Sequence, residues 1–373
     1  MTNLFDLSSL TAVADRLVEA AARAGADAAD ALAVHGMSQS VTVRDGTVEE
    51  SRRSESDNVG LRAFVGRRQA VVSTNDLSGA GVDALAERAV AMARAAPEDR
   101  FAGLAEPDLL ARDVPDLDLL DGALPSVGAL EALAGTAEEA ALAVTGVTKS
   151  GGASASCGIG GMVLVTSAGF HGAYLGSSHG VSVEAIAGIG TGMESDHDFT
   201  SARHAGDLEA AAAIGKSAGE RAVKRLNPRK VATRRVPVIY DSRVAASLIG
   251  HLAFAINGSA LARKTSFLKD RLGARIFGPG ISIIDDPLRR RGLRSQPFDA
   301  EGVATVRRAL VEDGVLASWI LDCATARELG LKTTGNAHRG VSSVPSPGST
   351  NLHLEPAPRR RANSSPPWRT GSM

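Results

Sequence analysis

The stretch SQSVTVRDGTVEESRR, residues 38–53, decides the fold class. It alternates apolar and polar positions on either side of Asp45-Gly46. That dipeptide suits a two-residue turn needing positive φ, so the pattern predicts two antiparallel strands joined by a tight hairpin. A second pair follows at residues 59–65 and 69–74, with its turn at Gly66. Upstream, Leu10, Val13, Ala14, Leu17, Val18 and Ala21 recur at helical spacing. Ser8 and Ser9 are candidate N-caps for that helix, and Gly25 is its stop.

Further along, residues 82–95 show helical periodicity ending before Pro97. Residues 98–125 are acidic, rich in proline and without period, and read as a connection. A helix is expected over 127–144, and glycine-rich strands over 149–192. The alanine-rich stretch 205–226 predicts one long helix, broken by Asn227-Pro228. Beyond it, residues 236–240 read as a buried strand and 242–255 as a helix. Asp313-Gly314 marks another hairpin, between 304–311 and 315–321.

These elements predict an α+β protein. Its N-terminal α/β domain, 1–228, carries antiparallel hairpins and long helices. A β-rich C-terminal domain, 229–356, follows. Strands and helices do not alternate regularly, which disfavours a doubly wound dinucleotide-binding fold.

Composition narrows the function. The 373 residues carry a net charge of −1, which argues against an electrostatically driven nucleic-acid binder. No apolar run is long enough to span a bilayer and no signal-peptide pattern opens the chain, so the expected location is cytoplasmic. Cys157 and Cys323 are too few for a disulfide framework. None of the eight histidines is followed by Glu, and no two lie four or five apart, so no H-E-x-x-H or H-E-x-x-x-H helix exists. Asp196-His197-Asp198 is the remaining local metal candidate, set against a plain solvated acidic loop. Gly158-Ile159-Gly160-Gly161 lacks a nucleotide-binding fingerprint and reads as strand bends. The arginine runs lack interleaved aromatics, so stacking on bases is not suggested.

Several stretches, in order, resemble the TldD/PmbA family of metallopeptidases, also called modulators of DNA gyrase. They are Asp45-Gly46-Thr47-Val48-Glu49-Glu50, Gly60-Leu61-Arg62-Ala63-Phe64-Val65-Gly66 and Asp198-Phe199-Thr200-Ser201-Ala202-Arg203. Three more follow: Gly258-Ser259-Ala260-Leu261-Ala262-Arg263-Lys264-Thr265-Ser266-Phe267, Thr334-Gly335-Asn336-Ala337 and Asn351-Leu352-His353-Leu354-Glu355-Pro356. The resemblance runs from the first helix to Pro356.

The resemblance implies two kinds of subunit. The TldD-like kind carries H-E-x-x-x-H and zinc. The PmbA-like kind, or TldE, lacks the motif and pairs with the first in a cytoplasmic peptidase for small or unfolded peptides. Anchored on Arg263-Lys264, the zinc helix falls on residues 250–255, where Gly250 and Ala255 take the ligand positions and His251 the Glu position. Glycine and alanine side chains cannot ligate zinc, so this chain looks PmbA-like, with no cofactor of its own and zinc expected in a TldD-like partner. Arg263, Lys264, Ser266, Gly335 and Asn336 are the candidate peptide- or partner-binding residues. The competing readings are a self-sufficient hydrolase using His197, His204 or Cys323, and a non-enzymatic regulator linked to DNA gyrase.

Residues 357–373, APRRRANSSPPWRTGSM, depart from the family pattern, with four Arg and no acid. They read as a disordered tail replacing the family's C-terminal strands, as a frameshift would produce, which would leave the C-terminal domain incomplete.

Overall fold

The computed structural model describes residues 7–356. The expectation for the tail therefore lies outside the described residues.

A six-stranded antiparallel sheet dominates the fold. Its strands are β1 (Ala28–Arg44), β2 (Thr47–Val65), β3 (Arg68–Thr74), β4 (Val147–Thr166), β5 (His171–Ala187) and β6 (Glu194–Ala202), in the order β3-β2-β1-β4-β5-β6. Asp45 and Gly46, at φ 50° and 73°, make the tight turn between β1 and β2. Gly66, at φ 59°, makes the next. The two expected strand pairs thus share one long strand, β2, whose 19 residues pair with β1 at one end and with both neighbours at the other.

Helices α1 (Ser8–Arg23), α2 (Gly79–Ala95), α3 (Val127–Leu142) and α4 (Ala211–Lys224) pack on the sheet in two groups. Period-two alternation puts Ala29, Ala31, Ala33, Val41 and Val43 of β1 on one face. The first three meet α1 and α2, and the last two meet α3 and α4. Alanine and glycine contacts let these layers approach closely: a Cβ on Gly215 of α4 would lie 2.0 Å from the Ala137 carbonyl of α3.

The hairpin tip is fastened to this layer. Glu138 of α3, 1% exposed, accepts hydrogen bonds from the backbone N–H groups of Asp45 and Gly46, each at 2.9 Å, and from the Ser150 hydroxyl.

A second core gathers Leu252, Ile256, Leu310, Leu316, Ile320 and Leu321. It is built from α5 (Ser242–Ala255), α6 (Gly258–Ala262), α7 (Cys323–Leu329) and the strands β7 (Ile283–Asp285), β8 (Arg308–Glu312), β9 (Val315–Leu316) and β12 (Leu352–Leu354), ordered β12-β7-β8-β9. Asp313-Gly314 turns between β8 and β9 with both φ angles positive. A two-stranded ribbon of β10 (Ala337–His338) and β11 (Ser346–Pro347) completes the region.

This region docks on the sheet face opposite the helices. Phe298, fully buried, meets Phe170 and Tyr174 edge-on at centroid distances of 5.1 and 5.4 Å. Beside it lies a buried ionic cluster. Arg62 of β2 donates two hydrogen bonds to Asp30 of β1, its Nε at 2.9 Å, and Arg339 Nη1 reaches the other Asp30 oxygen at 2.5 Å. Glu301 stands 3.9 Å from Arg62. The 98–125 connection holds the two parts together as well. Arg327 of α7 donates to the carbonyls of Phe101, Gly103 and Leu104, and Ala111 N–H to the Gly302 carbonyl.

Three expectations need correction. The N-cap of α1 is Leu7, without a side-chain cap bond, rather than Ser8 or Ser9. The alanine-rich helix begins only at Ala211, because a short 3-10 turn over Ala205–Asp207 and extended Leu208 precede it. Residues 236–240 form no strand and are exposed, Val238 at 65% and Ile239 at 81%. Their β-forming side chains lack a neighbouring strand edge, and without one a strand has no ladder to join.

Candidate functional site

Helix α5 is capped by Asp241, whose carboxylate accepts from Arg243 N–H at 3.0 Å. The three degenerate motif positions lie near its C-terminal end: Gly250 and His251 exposed, Ala255 buried. Zinc takes nitrogen, sulfur or carboxylate oxygen ligands, and this helix offers one imidazole. Among the described residues no group of three or more His, Cys, Asp or Glu is placed to hold a metal ion. Zinc therefore does not fit this chain's own side chains here. Asp196 and Asp198, the other candidate, lie on strand β6 and face arginines: Arg243 and Arg225 for Asp196, at 3.1 and 3.4 Å, and Arg221 for Asp198, at 3.7 Å.

The candidate binding residues divide into two kinds. Arg263 and Lys264 are exposed at the end of α6, with Lys264 at φ 58°. Ser266 is buried and donates to the Ala255 carbonyl at 2.5 Å, which ties the loop to the end of α5. Gly335 takes φ 68°, and a Cβ there would lie 2.7 Å from the Ala304 carbonyl oxygen. Asn336 is buried and donates from Nδ2 to Asp285 Oδ2 at 2.8 Å and to the Gly348 carbonyl at 3.2 Å. Two of the family-like motifs meet at one place: Gly258 N–H donates to the Ile320 carbonyl, and Leu321 N–H donates to Thr334 Oγ1, both at 2.8 Å.

A cavity of about 480 Å³ lies elsewhere, on the sheet face opposite the helices. Strand register builds it in rows. Ser56, Gly36, Gly160 and Gly176 stand side by side across β2, β1, β4 and β5, and Ser54, Ser38, Gly158 and Ser178 form the next row. Glycine is needed most at Gly158, where a Cβ would sit 2.9 Å from the Met37 carbonyl; one on Gly176 would lie 2.8 Å from Arg203 Nη1, while Gly160 has open space around it. Tyr174 and Arg203 close one end. Burial pushes the Tyr174 phenol up to about 12, so it stays protonated at neutral pH. Arg203 spends its donors on the carbonyls of Ser177, Gly292 and Leu293, at 3.0, 3.2 and 2.6 Å.

The trough is thus a surface of serine hydroxyls and glycines with the Arg203 guanidinium at one end. Reading the glycine cluster as strand bends missed it. The available signal was the run of Ser and Gly at even positions, 36, 38, 54, 56, 156, 158, 160, 176 and 178, which alternation places on one face.

Neither cysteine is an activated nucleophile. Burial raises the Cys157 thiol, and Cys157 packs with the α3–α4 core. Burial, together with Glu301 and Asp299, raises Cys323 far more strongly. A reactive cysteine needs the opposite shift. His204 Nε2 donates to the Asp118 carbonyl, 2.9 Å away, while His197 stacks on Phe199 at the exposed face of β6.

Comparison with known proteins agrees with the architecture. Models of the PmbA/TldA metallopeptidase match residues 29–93 (domain 1), 121–226 (central domain) and 233–364 (C-terminal domain). The metalloprotease PmbA homolog of Haemophilus influenzae is 37% identical over 322 residues, covering 86% of this chain and 71% of that protein. The metalloprotease PmbA of Escherichia coli O157:H7 is 38% identical over 299 residues, covering 80% of this chain and 66% of its own length. A crystal structure from Bacteroides thetaiotaomicron, described as a putative modulator of DNA gyrase, superposes with a TM-score of 0.85 at 25% identity, over 93% of this chain and 77% of that one. The chain thus spans about two thirds to three quarters of the length of these relatives. With three domain models in order and a relative at this identity along most of its length, the chain belongs to the PmbA/TldD metallopeptidase family.

Proposed function

We propose that this chain is the PmbA-like subunit of a two-subunit zinc peptidase, shaping the groove that holds a peptide while a TldD-like partner carries the metal. The observation that supports this most is the contrast between its two sites. The helix aligned with the family's zinc motif offers only His251 between Gly250 and Ala255, whereas the sheet offers a roomy trough free of acidic groups. The serine hydroxyls can hydrogen-bond the repeating amides of a polypeptide, which gives affinity with little side-chain selection. In this reading no proton transfer or water activation is assigned to the chain's own residues. They would bind and orient the peptide, and a zinc held by the partner would supply the activation of water. The expected location of the complex is the cytoplasm.

The test is reconstitution. Purified alone, the chain is expected to cleave no peptide. Mixed with the zinc-bearing homologue from the same genome, it should form a complex that cleaves unstructured peptides and stops when a chelator is added. Chelator-sensitive cleavage by the isolated chain would overturn the assignment. So would full activity of the homologue without it.

A further inference from the structure

The two cores are joined in sequence by residues 227–241, and this joint differs from the other loops. All of residues 228–240 are exposed, none belongs to a helix or strand, and no hydrogen bond links any of them to the rest of the described chain. The joint contains Arg229, Lys230, Arg234 and Arg235, none of them in an ion pair. The other basic turns are held. Arg263 and Lys264 donate backbone N–H groups into the end of α6, and Arg290 and Arg291 are bound to Asp118. The 98–125 connection is anchored by buried Leu117 and Leu119.

We propose that the joint is a processing site for a basic-specific endoprotease, and that the nicked chain persists as a two-piece assembly. A protease cleft must take its substrate as an extended strand of several residues. This segment presents one with no hydrogen bonds to break first, so cleavage needs no prior unfolding. In the step, water adds across the peptide bond after a basic residue. The carbonyl carbon gains the hydroxyl, the C–N bond breaks, and the departing nitrogen takes the proton. The pieces stay together because their contacts lie far from the cut. Arg339 binds Asp30, Glu301 faces Arg62, Phe298 is enclosed by Phe170 and Tyr174, and Arg327 and Arg203 reach carbonyls across the boundary.

The experiment is limited digestion of the full chain with trypsin, read by intact mass and by native size-exclusion chromatography. The expected first internal products end at residues 229, 230, 234 or 235, separate under denaturing conditions and co-elute at the uncut position under native ones. Trimming beyond residue 356 shortens only the second piece and is not scored. The surface variant R229Q/K230Q/R234Q/R235Q should melt like wild type and be cut at least about tenfold more slowly. First cuts elsewhere within 7–356, pieces that elute apart, or an undiminished rate in the quadruple variant would each overturn the proposal.

Discussion

Replacing Asp30 with alanine tests the buried ionic cluster that docks the second core onto the sheet. Asp30 is 1% exposed and is the shared acceptor for Arg62 and Arg339. Without it, Arg62 keeps Glu301 at 3.9 Å and the Phe64 ring, and Arg339, whose Nε and Nη2 already have no partner, loses its Nη1 bond too. Removing one member of a buried ion pair costs about 3–5 kcal/mol, because the charge left behind stays desolvated. Set against a total of about 5–15 kcal/mol, that loss is large enough to unfold a marginal protein. Urea titration measures it as a lower midpoint at unchanged slope. The double variant D30A/R339M should recover part of the loss, since one stranded cation goes with its partner.

The same residue sets an acid limit. Burial alone would raise its pKa, but Arg339 and Arg62 outweigh it and hold the carboxyl below its ordinary value. The unfolded carboxyl titrates near its ordinary value of about 3.9, so this contribution is intact above about pH 4 and fades as the pH falls through the lower folded value. A D30A midpoint within about 1 kcal/mol of wild type at neutral pH would show that this cluster does not hold the two cores together.

Three further predictions follow from single contacts. In Gly60→Ala the new methyl would lie 1.8 Å from the Val341 carbonyl oxygen, so the 339–341 segment must shift, at about 1–3 kcal/mol in a melting experiment; a neutral result would refute the close approach. Asp299 is pushed up to about 7, by burial first and then by the charge of Glu301. The folded chain therefore holds a proton that the unfolded chain releases near pH 4, so this contribution is complete below about pH 4 and is lost as the pH climbs to about 7. Asp299→Asn should remove that part of the pH dependence of the urea midpoint, and an unaltered profile would count against it. Ser178→Trp places bulk on an exposed trough position; in the reconstituted complex it should lower kcat/KM by about tenfold or more while the melting temperature holds, and full activity would move the peptide site elsewhere.

Local chemistry was legible in the sequence wherever it decides the structure alone. Asp45-Gly46, Gly66 and Asp313-Gly314 need positive φ, so the hairpins could be placed from residue type. Residues 242–255 match α5 because an acidic cap precedes a helical period. Failures came where distant partners decide. The run 236–240 has strand-forming side chains, yet a strand exists only beside another edge. Asp30 and Arg339 lie 309 positions apart, and nothing near either announces the pair. The trough was not read, because it needs four strands in register before its hydroxyls share a surface.

Strand β1 is fastened at both ends. Its start is fixed through Asp30 to two guanidiniums, and the turn after its end is bound by Glu138. Gly36 and Ser38 lie midway along this 17-residue strand, like the centre of a bowstring strung between two posts. The middle cannot sag or twist far without tearing a buried anchor. Whatever enters from above therefore meets a rigid mould, and any adjustment must come from the incoming chain itself.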